Sequence, residues 1–178
     1  MADVSVRPAR QDDVVEIARI QVETWRLGYR EIVPAAVLET LTVDTARAAW
    51  QDAIGSPPSP RHHVLIALEQ DWVVGFVALA PADELRPEDV DPEHTAAVGP
   101  LLVEPRWGRR GHGSRLMAAA TDHARQDGVI RAVTWIPEGD TASREFLVGA
   151  GWALDGLVRA LDTGAGELHE IRLHTVLG

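Results

Sequence analysis

A glycine-rich segment between an apolar strand and a helix is the feature that most constrains this chain. Residues 101–103 are apolar and β-prone, and Pro105 ends the strand pattern. Gly111 and Gly113 let a ligand approach the backbone without interference from a Cβ atom, and a helical pattern follows from Leu116 onward. Because the first NH groups of a helix have no internal partner, the segment predicts an anion-binding loop.

Length and composition indicate an ordinary globular protein. With 178 residues, 46% of them apolar and 25% charged, we expect a single domain over residues 1–178 that buries a core. No signal peptide and no apolar window of about 18 residues is evident, so we expect a cytoplasmic protein without a membrane partner. A net charge of −10 argues against nucleic-acid binding. A local basic patch is still compatible with a phosphorylated small molecule, and it consists of Arg106, Arg109, Arg110 and Arg115.

Two missing residue types exclude several kinds of chemistry. All 17 basic residues are arginine, so no lysine is present to form a Schiff base or to complete a Walker A loop. Leu116 stands where the dinucleotide-binding fingerprint has its third glycine. The absence of cysteine excludes thiolate catalysis, disulfides and cysteine-based zinc sites.

Hydrophobic periodicity predicts the order strand, two helices, three antiparallel strands, helix, strand, helix and two strands. The second predicted helix covers residues 35–54, with a break near residues 42–44. Residues 81–93 are acidic and rich in proline, which predicts an exposed loop or a segment with a short helix. The order implies an α+β (mixed α/β) fold, with a central, largely antiparallel, twisted mixed sheet flanked by about four helices.

This order, together with two motifs, resembles the GNAT superfamily of acyl-CoA-dependent N-acetyltransferases over residues 3–176. The family's central motif is a strand ending in V-x-P followed by Q/R-x-x-G-x-G/A at a helix start. Here it maps to Val103, Pro105, Gly108, Arg109, Arg110, Gly111, His112 and Gly113. A second family pattern, N-x-x-A-x-x-F-Y-x-x-x-G-F, lies over Asp140, Ser143, Phe146, Leu147, Gly151 and Trp152.

The resemblance implies a binding mode for acetyl-CoA as cosubstrate, with no metal. Its pyrophosphate would lie over residues 109–114, and its pantetheine arm would pair with the backbone of residues 101–103, as peptides do when they extend a sheet edge. We expect the His112 side chain to face solvent or to cover the adenine. The implied cofactor-binding residues are Leu101, Leu102, Val103, Gly108, Arg109, Arg110, Gly111, His112, Gly113, Ser114, Asp140 and Phe146.

The catalytic residues are harder to assign, because the chain departs from the family pattern. Gly108 stands at the Q/R position, and Leu147 stands where the family often has a tyrosine that protonates the departing thiolate. Tyr29 is the best remaining candidate acid. The candidates for a base, acting directly or through water, are His94, Glu23 and Glu104.

The expected function is transfer of an acetyl group from acetyl-CoA to a primary amine of a small molecule or of a protein N-terminus. The absence of cysteine favours direct attack through a tetrahedral intermediate over a covalent relay. Neutralising an amine of pKa about 8 at pH 7 costs only about 1.4 kcal/mol, against about 4.6 kcal/mol for a lysine-like amine. Two alternatives remain open, a catalytically inactive CoA-binding module and a transferase of another acyl group. The resemblance also implies a homodimer.

Overall fold

One seven-stranded sheet with helices against both faces makes up the fold in a computed structural model, which describes residues 3–83, 85–87 and 89–178. The strands are β1 (Val4–Pro8), β2 (His63–Glu69), β3 (Trp72–Pro81), β4 (Thr95–Val103), β5 (Arg131–Pro137), β6 (Ala153–Asp162) and β7 (Glu167–Val176). The helices are α1 (Val14–Gly28), α2 (Ala35–Thr40), α3 (Val43–Gly55), α4 (His112–Gln126) and α5 (Thr141–Gly149). In the described part of the chain, none of these helices combines the length and apolar content needed to cross a membrane.

The strand order is β1-β2-β3-β4-β5-β7-β6, and every neighbouring pair is antiparallel except β4 and β5. The predicted mixed, largely antiparallel sheet is therefore confirmed. The described residues contain five α-helices, where the sequence predicted about four, because residues 35–55 form two helices. The Thr42 side chain accepts a hydrogen bond from Thr45 N at 3.1 Å, which caps α3 and starts it anew after the break.

Alternate residues of the central strands supply two hydrophobic cores. Leu65 and Ala67 of β2 pack in the cluster that contains Leu116 of α4, whereas Ile66 faces the opposite cluster with Trp50 of α3. This alternation follows from the two-residue period of a strand. The sheet is thus covered by α4 and α5 on one face and by α1 and α3 on the other.

The sheet opens in its middle, between β4 and β5. The two strands pair over only three positions, the last of them Ala97 with Val133. Beyond that point β4 continues to pair with β3 as far as Val103, while β5 continues to pair with β7 as far as Pro137. The two halves of the sheet therefore diverge, and an edge of β4 lies unpaired inside the molecule.

An ion-pair cluster joins the acidic segment to the second half of the sheet. Arg172 of β7 is only 2% exposed, and its guanidinium binds Asp89 at 2.5 Å and Asp155 at 2.6 Å. Arg131 of β5 also binds Asp89, at 3.1 Å. The prediction of an exposed loop is thus wrong for the Asp89 side chain, which is only 7% exposed, and Glu84 and Glu88 of the segment lie outside the described residues.

Replacing Asp89 with asparagine removes the carboxylate and keeps the size of the side chain. Since breaking a buried ion pair costs about 3–5 kcal/mol and Asp155 remains beside Arg172, we expect the free energy of unfolding to fall by about 3 kcal/mol in urea denaturation at pH 7. The matched control is Asp122→Asn, which removes an exposed carboxylate 3.3 Å from Arg125. It should change the free energy of unfolding by less than about 0.5 kcal/mol. Equal losses in the two variants would contradict the assignment.

The pH dependence of stability gives a second measurement on the same variant. Hydrogen bonds from Arg172, with a further one from Arg131, hold the pKa of Asp89 well below its usual range. A depressed folded pKa adds stability that is complete above the unfolded value of about 3.9 and is lost as the pH falls through the folded value. On acidification below about pH 4, the unsubstituted protein should therefore lose stability more steeply than the Asp89→Asn variant. Parallel pH curves would overturn this expectation.

Candidate active site

The unpaired edge of β4 offers backbone groups to a ligand. Glu104 N donates to Val74 O on β3 at 2.9 Å. Because hydrogen-bonded and non-hydrogen-bonded pairs alternate in an antiparallel ladder, Leu102 also directs its backbone toward β3. Leu101 and Val103 then direct their NH and C=O groups into the opening. Of the three residues predicted to line the ligand, Leu101 and Val103 have an available backbone and Leu102 does not.

The glycine loop, residues 108–114, lies beside this edge. Gly111 has a φ of +82°, which favours glycine, and Arg115 N makes the first bond of the α4 turn to Gly111 O at 3.0 Å. Among the described residues, none accepts a hydrogen bond from the NH groups of residues 109–114. A Cβ atom on Gly113 would lie 3.4 Å from the Phe146 ring and 3.8 Å from Leu101, so the helix start touches both α5 and β4. The local geometry is that of an anion site at a helix N-terminus.

Gly108 contributes differently from its neighbours in the loop. Its NH donates to Pro105 O at 3.0 Å, inside the short 3-10 turn that precedes the loop. That donor is therefore used by the fold, although the sequence pattern included Gly108 among the ligand-binding residues. The available backbone donors begin one residue later.

The arginines around the loop fall into two groups. Arg110 binds Glu69 at 3.0 Å and lies 5.0 Å from the centre of the Trp107 ring, while Arg106 binds Glu104 at 2.6 Å. Arg109 is exposed, and no described residue pairs with it. Arg109 is thus the side chain of the loop best placed to meet an anion.

His112 is buried, contrary to the expectation that it faces solvent or the adenine. The residue is only 2% exposed, and its Nε2 lies 2.8 Å from a Glu69 carboxylate oxygen. A carboxylate only accepts, so Nε2 carries the proton, and Nδ1 is buried with no partner among the described residues. The side chain of His112 anchors the loop to β2, and its backbone NH is what remains available to a ligand.

A cavity of about 630 Å³ continues from the opening. One end lies under the glycine loop, where Leu101, Met117 and Phe146 line it. The other end is enclosed by the α1–α2 region and by β5 and β7, through Trp25, Tyr29, Val33, Val37, Leu38, Leu41, Trp135, Leu168 and Glu170. The cavity therefore runs from the anion site through the sheet to a second compartment.

Tyr29 lines this cavity and is tied to the start of α5. Its hydroxyl donates to Asp140 Oδ2 at 2.8 Å, and Ser143 Oγ donates to the same oxygen at 2.7 Å. Ser143 N donates to Oδ1 at 3.0 Å, so Asp140 is the N-cap of α5 and both its oxygens are occupied by protein donors. Burial, followed by the negative charge of Asp140 and the hydrogen bond to it, raises the pKa of Tyr29 above its usual value. Tyr29 is therefore a protonated hydroxyl at neutral pH.

The three candidate bases do not line the cavity. Glu23 is exposed and binds Arg19 at 2.8 Å. Glu104 is buried between Arg19 and Arg106, and His94 is exposed in the 3-10 turn before β4. The structure thus brings Tyr29 to the cavity and keeps the other three candidates outside its lining.

Glu170 of β7 lines the cavity, although it was not among the candidate residues predicted from the sequence. It pairs across the sheet with Pro137 of β5 on one side and with Arg159 of β6 on the other. No local motif marks this residue. Its position depends on the β5-β7-β6 register, which connects residues far apart in the chain.

Comparison with known proteins gives concordant matches. The model of the acetyltransferase (GNAT) family matches residues 16–152. The chain is 29% identical over 135 residues to the uncharacterized N-acetyltransferase YuaI of Bacillus subtilis strain 168, covering 76% of this chain and 72% of that protein.

Solved structures match over nearly the whole chain. The PaiA N-acetyltransferase of Thermoplasma acidophilum in complex with coenzyme A has a TM-score of 0.77 at 14% identity, covering 98% of this chain and 99% of that one. YncA of Salmonella typhimurium, solved with its cofactor acetyl-CoA, has a TM-score of 0.69 at 18% identity, covering 98% and 94%. These likenesses establish a shared fold, and the family match extends over most of the described elements. The chain belongs to the GNAT acetyltransferase family.

Proposed function

We propose that this protein transfers an acetyl group from acetyl-CoA to a primary amine by direct attack. The observation that carries the proposal is the continuity of three features in one site. The loop with the unpaired NH groups of residues 109–114 adjoins the unpaired edge of β4 at Gly113, and the neighbours of Gly113, Leu101 and Phe146, line the cavity. A ligand with a phosphate end, an amide-rich arm and a reactive tip fits that sequence of environments.

The residues present fit acetyl-CoA at its two recognition elements. Backbone NH groups of the glycine loop and the Arg109 guanidinium would hold the pyrophosphate. The backbone of Leu101 and Val103 would pair with the amides of the arm, as an added strand does at a sheet edge. Phe146, which contacts the helix start, would close the other side of the arm.

Acetyl-CoA supplies a thioester. In the balanced reaction the amine nitrogen bonds to the carbonyl carbon, the carbon–sulfur bond breaks, the amine loses one proton and the sulfur gains one. A backbone NH of β4 near Leu101 or Val103 would stabilise the oxyanion. The sequence contains no cysteine that could carry the acyl group, so sequential kinetics are expected and ping-pong kinetics would contradict the mechanism.

Tyr29 is our candidate for the acid that protonates the sulfur. It lines the cavity and its hydroxyl is held 2.8 Å from Asp140 Oδ2. Leu147, at the position where many family members have a tyrosine, has no proton to give. The hydroxyl of Tyr29 would have to turn from Asp140 toward the sulfur to act.

The proposed function is tested by mixing the purified protein with acetyl-CoA and a pooled set of primary amines and measuring released thiol. We expect release above the rate without amine. The Tyr29→Phe variant should lower kcat by about 10²-fold and leave the Kd for CoA unchanged, because only the hydroxyl is lost. Tight CoA binding without turnover for any amine would favour a binding module. An unchanged kcat in Tyr29→Phe would show that the sulfur takes its proton from another source.

The role of Arg109 is tested by Arg109→Ala. Loss of a charge-assisted contact with phosphate should raise the Kd for CoA, measured by calorimetry, by roughly tenfold. The matched control is Arg125→Ala at the opposite end of α4, where the side chain pairs with the exposed Asp122. That variant should bind CoA as the unsubstituted protein does. If Arg109→Ala also binds normally, the loop holds phosphate through its backbone alone.

A further inference from the structure

The residues that line the far compartment of the cavity indicate which class of acceptor amine it can bind. We call this compartment the acceptor pocket, and its walls are Trp25, Tyr29, Val37, Leu41, Trp135 and Leu168, with Glu170 among them. It lies at the opposite end of the cavity from the glycine loop. An inference about its occupant rests on the proposed function, because it assumes that the other end receives the acyl donor.

The walls of the acceptor pocket are mainly apolar. Trp25 and Tyr29 stand next to each other, with ring centres 5.8 Å apart, and Val37 and Leu41 continue the same side. Trp135 and Leu168 form the side contributed by the sheet. Binding of an apolar or aromatic body to such walls is favourable, because apolar surface leaves water. Binding of a strongly hydrated body is unfavourable, because the body loses its hydration.

Arg159, the cation at the acceptor pocket, is already paired with Glu170. Arg159 Nε and Nη2 both lie 2.6 Å from Glu170 Oε2, and the guanidinium carbon lies 4.4 Å from the centre of the Trp135 ring. A substrate carboxylate would have to compete with Glu170 for this guanidinium. Among the described residues that line the cavity, no other arginine is present to receive it.

Glu170 keeps one oxygen for a ligand. Arg159 Nε and Nη2 both contact Oε2 of Glu170, and no described residue donates to Oε1. The Glu170 side chain is 12% exposed and lines the cavity, so its carboxylate is partly desolvated. A carboxylate in such surroundings makes a stronger contact with an ammonium group than one in open water does.

The balance of charge points to a single ammonium. Asp83 and Glu170 are the described carboxylates that line the cavity and Arg159 is the described guanidinium, which leaves one net negative charge. One ammonium group neutralises it. With one ammonium at Glu170, Asp83 is the one described lining carboxylate left, so a polyamine with three ammonium groups would place at least one of them against the apolar walls, at a desolvation cost.

We propose that the acceptor is a primary monoamine with an apolar or aromatic body and no carboxylate, held through its ammonium group at Glu170 Oε1. Before attack, the ammonium gives one proton to Glu170 or to water beside it. The neutral amine nitrogen then forms the amide bond described above and loses its second proton as the sulfur gains one. Amino acids with a free carboxylate and polyamines are the disfavoured classes.

Three probes separate these classes on the unsubstituted protein. They are 2-phenylethylamine, phenylalanine, which adds a carboxylate to the same body, and spermidine, which adds two amines and removes the aromatic ring. At saturating acetyl-CoA, we expect kcat/KM for 2-phenylethylamine to exceed both others by at least about tenfold. A higher kcat/KM for phenylalanine or for spermidine would overturn the proposal while leaving the acetyltransferase function intact.

A substitution at Glu170 tests the contact itself. Glu170→Gln should raise KM for 2-phenylethylamine by about tenfold or more and leave the Kd for CoA unchanged, because the charge-assisted contact is lost. The matched control, Glu167→Gln on the same strand, alters a side chain that is 69% exposed and should change neither constant. An unchanged KM in Glu170→Gln would overturn the role of this residue.

Calorimetry separates failure of this inference from failure of the proposed function. If no amine supports turnover, 2-phenylethylamine is titrated into the protein saturated with CoA. Binding that weakens in Glu170→Gln would support the acceptor pocket even though acetyl transfer had failed. Absence of binding would overturn the pocket as well.

Discussion

The divergence of β4 from β5 is the constraint on which the site depends. β4 is held by β3 and β5 is held by β7, so neither strand can bend to complete the ladder after their third shared pair. Backbone groups left inside a protein need a partner. The fold therefore contains an unfinished sheet whose edge can be completed by an amide-rich ligand, and Gly113 brings the N-terminus of α4 against the same place.

Features set by neighbouring residues could be predicted from the sequence. The glycine loop before α4 depends on residues only a few positions apart, and it occurs where it was expected. The hydrogen bonds that position the site's side chains join residues much farther apart in the sequence. His112 and Glu69 are separated by 43 positions, and Tyr29 and Asp140 by 111. No local pattern encodes such pairs, because they exist only after the sheet and its helices have assembled.

Glu104 and Glu170 illustrate the same limit for catalytic residues. Glu104 stands next to the glycine loop in the sequence, yet its carboxylate is buried between Arg19 and Arg106, outside the cavity lining. Glu170 lies more than fifty residues after the loop, yet strand pairing with β5 and β6 brings it to the cavity wall. Closeness to a motif along the chain is thus a poor guide to position when sheet register decides which side chains meet.

The ion pairs of Asp89 have a mechanical consequence for this open sheet. Asp89 belongs to the connection between β3 and β4, whereas Arg131 and Arg172 belong to β5 and β7, so these contacts tie together the two halves that the ladder leaves apart. Hydrogen bonds between strands do not depend on a titrating group, whereas the contacts of Asp89 are lost when strong acid protonates its carboxylate. Strong acid would therefore weaken the link that Asp89 makes between the two halves of the sheet, while strand pairing within each half would be retained.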